Sequence, residues 1–187
     1  MNKIFVITGL SGSGKDSVIN ELKTQGFDYT QVITTTTRSM RSNESEGNPY
    51  YFVSVEEFKK MVSENKFFEW AMVYNNYYGS TKKAVEEALT PNKPVVFRID
   101  VQGAKAIKKE ISETKTIFLT VPSLEELKQR LETRGQDSAE VIARRLLEAK
   151  EELKTLDQWD YVVANKTGEL EQTTEILKKI IKKEFNN

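Results

Sequence analysis

The 187-residue chain contains no cysteine and no histidine. The first absence excludes disulfides and thiolate metal sites and fits a reducing compartment. The second removes the commonest general base, so a proton must go to Asp, Glu, Lys or Tyr, or the reaction needs no base. Neither sign of charge is in excess, with Lys plus Arg and Asp plus Glu at 28 each. A global basic field for nucleic acid is therefore missing, and a bound anion must be met by a local cluster. No apolar run approaches the ~18 residues of a membrane span. The opening MNKIFVITG is too short, and too soon interrupted by glycine, for a signal peptide. No internal repeat or low-complexity tract occurs. The expectation is a cytoplasmic globular protein long enough to bury its own core.

What is there begins with strand and helix patterns. Lys3–Thr8 (KIFVIT), Val95–Ile99 (VVFRI), Thr116–Val121 (TIFLTV) and Tyr161–Ala164 (YVVA) are short apolar runs of strand length. Helical spacing marks Ser17–Thr24, Glu125–Glu132, Ala139–Leu156 and Glu169–Phe185. In the last, Lys178, Lys179, Lys182 and Lys183 read as a solvated face with charge that suits a helix C-terminus. Alternating strands and helices predict an α/β fold with a parallel sheet. Residues 33–94 differ in texture, being rich in Thr, Ser, Asn and aromatics such as Tyr50, Phe67, Trp70, Tyr74 and Tyr78. They read as an insertion with its own small core. The arginine-dense stretch Arg130–Arg145 reads as a mobile lid.

Five stretches carry chemistry. The first is GLSGSGKDS, Gly9–Ser17, set between a strand and a helix. Gly9, Gly12 and Gly14 free the backbone so that successive N–H groups form an anion nest at a helix N-terminus. Lys15 then reaches nucleotide phosphates as a point charge. The strict phosphate-loop motif asks for Ser or Thr after that lysine, and Asp16 stands there instead. The second is TTTTRSMRSNESEG, where Arg38 and Arg41 can clamp a phosphate or simply lie exposed on a polar loop. The third is FFEWAMVYNNYYGS, with Glu69 among aromatics. A carboxylate there wants a partner. Guanine offers two donors, N1 and N2, on one edge, and adenine does not; a helix-end glutamate beside a satellite core is the plainer alternative. The fourth is FRIDVQGA, where Asp100 follows an apolar strand and can orient a substrate, hold Mg2+ through water, or cap a helix. The fifth holds Arg130, Arg134, Arg144 and Arg145, suited to a migrating phosphoryl group or to ordinary helix solvation.

Taken together and in order, these residues resemble the guanylate kinase family from Lys3 to about Glu175. The resemblance implies a phosphate-loop NTPase fold, a three-layer α/β/α core with central parallel sheet, an inserted monophosphate-binding subdomain and a helical lid. One domain, 1–187, then divides into core (about 1–32, 95–123 and 151–187), GMP-binding insertion (about 33–94) and lid (about 124–150). The implied activity is phosphorylation of GMP, and of dGMP, by ATP with Mg2+. Gly9, Ser11, Gly12, Ser13, Gly14, Lys15, Asp16 and Ser17 fall on the ATP loop, and Arg130, Arg134 and Asn165 on further ATP contacts. Arg38, Arg41, Tyr50 and Tyr78 fall on the acceptor phosphate, and Thr34, Glu69, Ser80 and Asp100 on the guanine. Lys15, Arg38, Arg134 and Arg145 take the catalytic roles, and Asp16 is the candidate Mg2+ ligand. The implied partners are small-molecule nucleotides, with no nucleic acid and no membrane, acting on a monomer or homodimer.

The chain departs from the family pattern in three places. Asp16 replaces a hydroxyl, Pro49 stands where an aspartate is usual, and Arg98 replaces an acidic residue. Asp16 and Arg98 read as a relocated charge pattern, in which Asp16 supplies the carboxylate and Arg98 pairs with it or contacts phosphate; a dipole-favoured Asp16 in a first helical turn is the alternative. Two other functions are compatible with parts of the pattern. The string GKDS also resembles ribose 1,5-bisphosphate phosphokinases, which have no use for a guanine reader. Non-catalytic guanylate kinase-like binding modules use the acceptor site but tend to lose the ATP loop, which is present here.

Overall fold

The computed structural model describes residues 3–186 apart from 43, 74, 91 and 136, so Tyr74 lies outside the described residues. The chain forms two compact units, Met1–Val6 with Asp28–Thr114, and Ile7–Phe27 with Lys115–Asn187. Strand β1 (Ile4–Gly9) runs through both and is buried along its whole length, as its β-branched apolar composition predicts.

In the first unit, β2 (Thr30–Val32) pairs in parallel with β8 (Val95–Arg98). A second sheet is built from β3 (Thr34–Thr36), β4 (Ser45–Glu46), β5 (Pro49–Phe52), β6 (Phe67–Val73) and β7 (Asn76–Thr81), in the order β4-β5-β3-β7-β6. The small core expected for the middle stretch sits on one side of this sheet. Helix α2 (Val55–Ser63) presents the fully buried Phe58, which stacks on Phe67 at 4.3 Å and on Tyr77 at 5.2 Å between ring centroids. Ser54 caps α2 by accepting the Glu57 N–H, and Thr81 caps α3 (Lys82–Leu89) through the Ala84 N–H. Helix α4 (Val101–Glu110) completes this unit.

In the second unit, β9 (Lys115–Thr120) pairs in parallel with β10 (Tyr161–Ala164). Asp160 locks the start of β10 to β9, since its Oδ2 accepts both the N–H and the hydroxyl of Thr116 at 2.8 and 2.7 Å. Helices α1 (Lys15–Thr24) and α7 (Leu170–Asn186) pack together, and α5 (Leu124–Arg134) and α6 (Ala139–Glu152) form a helical pair. Gly135, left-handed at φ 65°, ends α5.

Two expectations change. The helix expected over Ala139–Leu156 stops at Glu152 and continues as a 3-10 turn, Leu153–Gln158. The Thr155 hydroxyl donates to the Glu152 carbonyl at 2.8 Å, and its backbone leaves helical geometry. Lys178 is no solvated lysine. It donates to Gln25 and Glu175, with its side chain 14% exposed, so it helps fix α7 on α1. Among the described residues, no helix is long and apolar enough to cross a membrane.

Candidate functional site

The expected donor-side residues all belong to the second unit, and the expected acceptor-side residues all belong to the first. Each group is therefore built separately.

On the donor side, the turn after β1 needs its glycines. Gly9 has φ 134°, and a Cβ there would overlap the Leu119 carbonyl of β9. Gly14 is the N-cap of α1 at φ 91°, and a Cβ there would overlap the Asn165 amide. The turn thus lies against β9 and the end of β10, with the N-terminus of α1 behind it. Lys15 folds back over the loop, donating to the carbonyls of Gly9 at 2.6 Å and Leu10 at 3.0 Å. Within the loop Ser13 is fully buried, whereas Asp16 and Ser17 are exposed in the first turn of α1.

Asn165 is buried and holds the loop from the other side. Its Nδ2 donates to the Ser13 carbonyl at 2.8 Å, which fixes the amide orientation and leaves Oδ1 buried without a hydrogen-bond partner among the described residues. Arg130 spends its donors on the protein. It bonds the Asn165 carbonyl and Glu126 at 2.6 Å each, and Thr167 at 3.2 Å. Arg134 and Arg145 converge on one acid. Asp137 accepts from Arg134 at 2.5 Å and from Arg145 at 2.9 Å, while Arg145 also reaches the Ser11 hydroxyl at 2.9 Å. The two arginines given catalytic roles are thus brought together with the loop. Arg144 is exposed. Asp137 was missed in the sequence; its signal is its place just after the Gly135 helix stop.

On the acceptor side, strand register does the positioning. Paired residues share a sheet face, as do residues two apart. Thr34 pairs with Tyr50, Thr36 with both Phe52 and Tyr78, Ala71 with Tyr78, and Glu69 with Ser80. Thr34, Tyr50, Glu69, Tyr78 and Ser80 therefore lie on one face, opposite the Phe58 core. Tyr50 and Tyr78 meet edge to face at 5.8 Å.

Glu69 is 8% exposed, and its Oε1 accepts the Ser80 N–H at 3.0 Å. Burial pushes its carboxyl up to about 7, helped by the nearby negative charge of Asp100 and held back by hydrogen bonding from Ser80. Gly103 makes room for it, since a Cβ there would fall 2.8 Å from Oε2. Asp100 takes the capping role: its Oδ1 accepts the N–H groups of Gln102 at 2.7 Å and Gly103 at 3.2 Å at the start of α4.

Arg38 is held by Glu44, which accepts from it with both oxygens at 2.7 and 2.9 Å and also takes the Arg41 N–H at 2.9 Å. Burial raises the Glu44 pKa, but the hydrogen bonds from Arg38 and Arg41 outweigh it, and the carboxyl lies below its usual range. Glu44 carries no such signal, since it lies six positions after Arg38 and neither residue belongs to a helix or strand whose periodicity would pair them.

Arg98 belongs to the first unit and Asp16 to the second. Within its own unit, Arg98 lies over the Tyr50 ring at 4.3 Å and donates to the Pro49 carbonyl at 3.4 Å. Two of the three departures from the family pattern, Pro49 and Arg98, therefore touch. Among the described residues, no group of three or more His, Cys, Asp or Glu is placed to hold a metal ion.

The family profile described as guanylate kinase matches residues 1–184. A guanylate kinase of Pseudoalteromonas translucida is 42% identical over 162 residues, covering 87% of this chain and 79% of that protein. One of Wolinella succinogenes is 43% identical over 164 residues, covering 87% and 76%. The crystal structure of guanylate kinase from Anaplasma phagocytophilum superposes with a TM-score of 0.81 at 29% identity, covering 100% of this chain and 87% of that one. A shikimate kinase from Bacteroides thetaiotaomicron, at 11% identity and a TM-score of 0.50, shares the fold alone. The profile match over nearly the whole length and the order of the loop, acceptor and arginine segments agree: this chain belongs to the guanylate kinase family.

Proposed function

We propose that the protein transfers the γ-phosphoryl group of ATP to GMP, and to dGMP, yielding ADP and the diphosphate. The observation that carries this reading is Glu69. A buried carboxylate shares one sheet face with Thr34, Ser80, Tyr50 and Tyr78, and Arg38 and Arg41 follow the same sheet's central strand. An ionised Glu69 accepts the N1 and N2 donors of guanine, while the arginines and tyrosines take the monophosphate. On the donor side, the loop amides and Lys15 hold the ATP phosphates, and the Oδ1 of Asn165, which has no hydrogen-bond partner among the described residues, suits the exocyclic amine of adenine.

The transition state of phosphoryl transfer is loose, so catalysis rests on positioning and charge neutralisation. Arg134 and Arg145 supply that charge, and the lack of histidine costs nothing. Asp16, a single exposed carboxylate in the first turn of α1, fits Mg2+ held mainly by nucleotide phosphates and water. The metal, when bound, would neutralise phosphate oxygens. The reading places the reaction in the cytoplasm, on free nucleotides.

Steady-state turnover of ATP with GMP, dGMP, AMP and ribose 1,5-bisphosphate tests it. GMP is expected to exceed AMP by at least about a hundredfold in kcat/KM, the margin a site built for specific hydrogen bonds delivers. GMP turnover no better than AMP would overturn the assignment. Preference for the ribose bisphosphate would favour that kinase instead, and absence of saturable Mg-ATP binding would make the chain a binding module.

A further inference from the structure

Arg98 sits at the end of β8, after an apolar run, and is 4% exposed. A guanidinium is an expensive group to bury, and the strand itself has no use for one. Burial lowers its pKa to about 10, which leaves it a cation at neutral pH. Its surroundings in the first unit are specific. The guanidinium carbon lies 4.3 Å from the centroid of Tyr50, and Nη2 donates to the carbonyl of Pro49 one residue earlier. Tyr50 carries a second guanidinium, that of Arg38, at 5.4 Å, and Tyr78 and Phe52 pack edge-on at 5.8 and 6.0 Å. The residue that the proposed function assigns to the acceptor phosphate is thus fixed by two cations, and only Arg38 is explained by that assignment.

We propose that Arg98 is a positioning residue for the acceptor phosphate: stacked on Tyr50 and hydrogen-bonded to the Pro49 carbonyl, it sets the angle at which the Tyr50 phenol meets a nucleoside monophosphate. The inference rests on the proposed function. The planar guanidinium suits the task because it lies against a ring and donates in its own plane at once. An ammonium keeps the charge but loses that geometry.

Titration calorimetry of the full-length protein with GMP, without ATP, tests the idea in wild type, R98M, R98K, Y50L and the R98M/Y50L double variant, each first checked for cooperative thermal unfolding. R98M is expected to weaken GMP binding about tenfold, the scale of a desolvated cation–π contact, and R98K about threefold. In the Y50L background, R98M should cost less than about twofold, because its effect passes through the ring. In turnover, KM for GMP should rise with kcat within about twofold. Wild-type-like GMP binding by R98M, or an equal loss with and without Tyr50, would overturn the inference. If R98M does not fold, R98K decides: binding equal to wild type refutes the positioning role. A wild type that binds no GMP shows as a missing signal in every titration, and that outcome overturns the proposed function and this inference together.

Discussion

Glu69 and Ser80 face each other across the β6–β7 ladder, and the Ser80 main-chain N–H donates to the Glu69 carboxylate at 3.0 Å. That one bond leaves most of a buried carboxylate's accepting capacity for a ligand. Burial favours the protonated acid and pushes its pKa up to about 7. Folding therefore favours the acid form that guanine recognition cannot use.

Substituting Glu69→Gln separates these demands. The amide cannot accept two donors on one edge, so kcat/KM for GMP is expected to fall by at least about a hundredfold. Stability should move the other way. A carboxyl with a raised folded pKa contributes stability below its unfolded value of about 4.5, which is lost as pH rises through about 7. At pH 8 the glutamine variant should be more stable than wild type by about 1–3 kcal/mol, with the difference shrinking toward pH 5. Thermal melts across that range, beside GMP kinetics, measure both. Wild-type-like GMP turnover would mean that guanine is read elsewhere.

Glu44 orients Arg38 through a two-oxygen ion pair whose side chains are 15% and 7% exposed. Glu44→Gln keeps the shape and removes the charge. KM for GMP should rise about tenfold, equivalent to about 1.4 kcal/mol, as Arg38 loses its fixed direction. The pH dependence has the opposite sign to that of Glu69. A depressed carboxyl pKa stabilises the fold above its unfolded value, and that gain is lost as pH falls below the ordinary carboxylate range. Melting curves of wild type and variant should accordingly converge in acid; curves that stay apart would assign the difference to packing.

Asp137 joins Arg134 and Arg145. Removing it leaves two partly buried cations without their shared acid. Asp137→Asn should destabilise the protein by about 1–3 kcal/mol and raise KM for ATP. Binding of GMP alone should be unchanged, because the acceptor residues belong to the first unit. Paired melts and separate ATP and GMP titrations check this, and a loss confined to GMP would contradict the division of roles.

Much of this protein is legible in its sequence because the signals are local. β1, β9 and β10 follow from short runs of β-branched and apolar residues, and α5 from its spacing. Gly9 and Gly14 announce a turn in which a side chain has no room, and Asp100 announces a strand end. Glu69 betrays itself as an acid among aromatics. Tertiary structure alone decides what these groups touch. Register, not spacing, puts Thr34, Tyr50, Glu69, Tyr78 and Ser80 on one face. The Glu44 and Asp137 pairs, the Arg98–Tyr50 stack and the covered Lys178 each depend on which chain segments are brought together by burial. Local propensity is written residue by residue, whereas the partner and protonation of a charged group are set by neighbours that only the packed chain supplies.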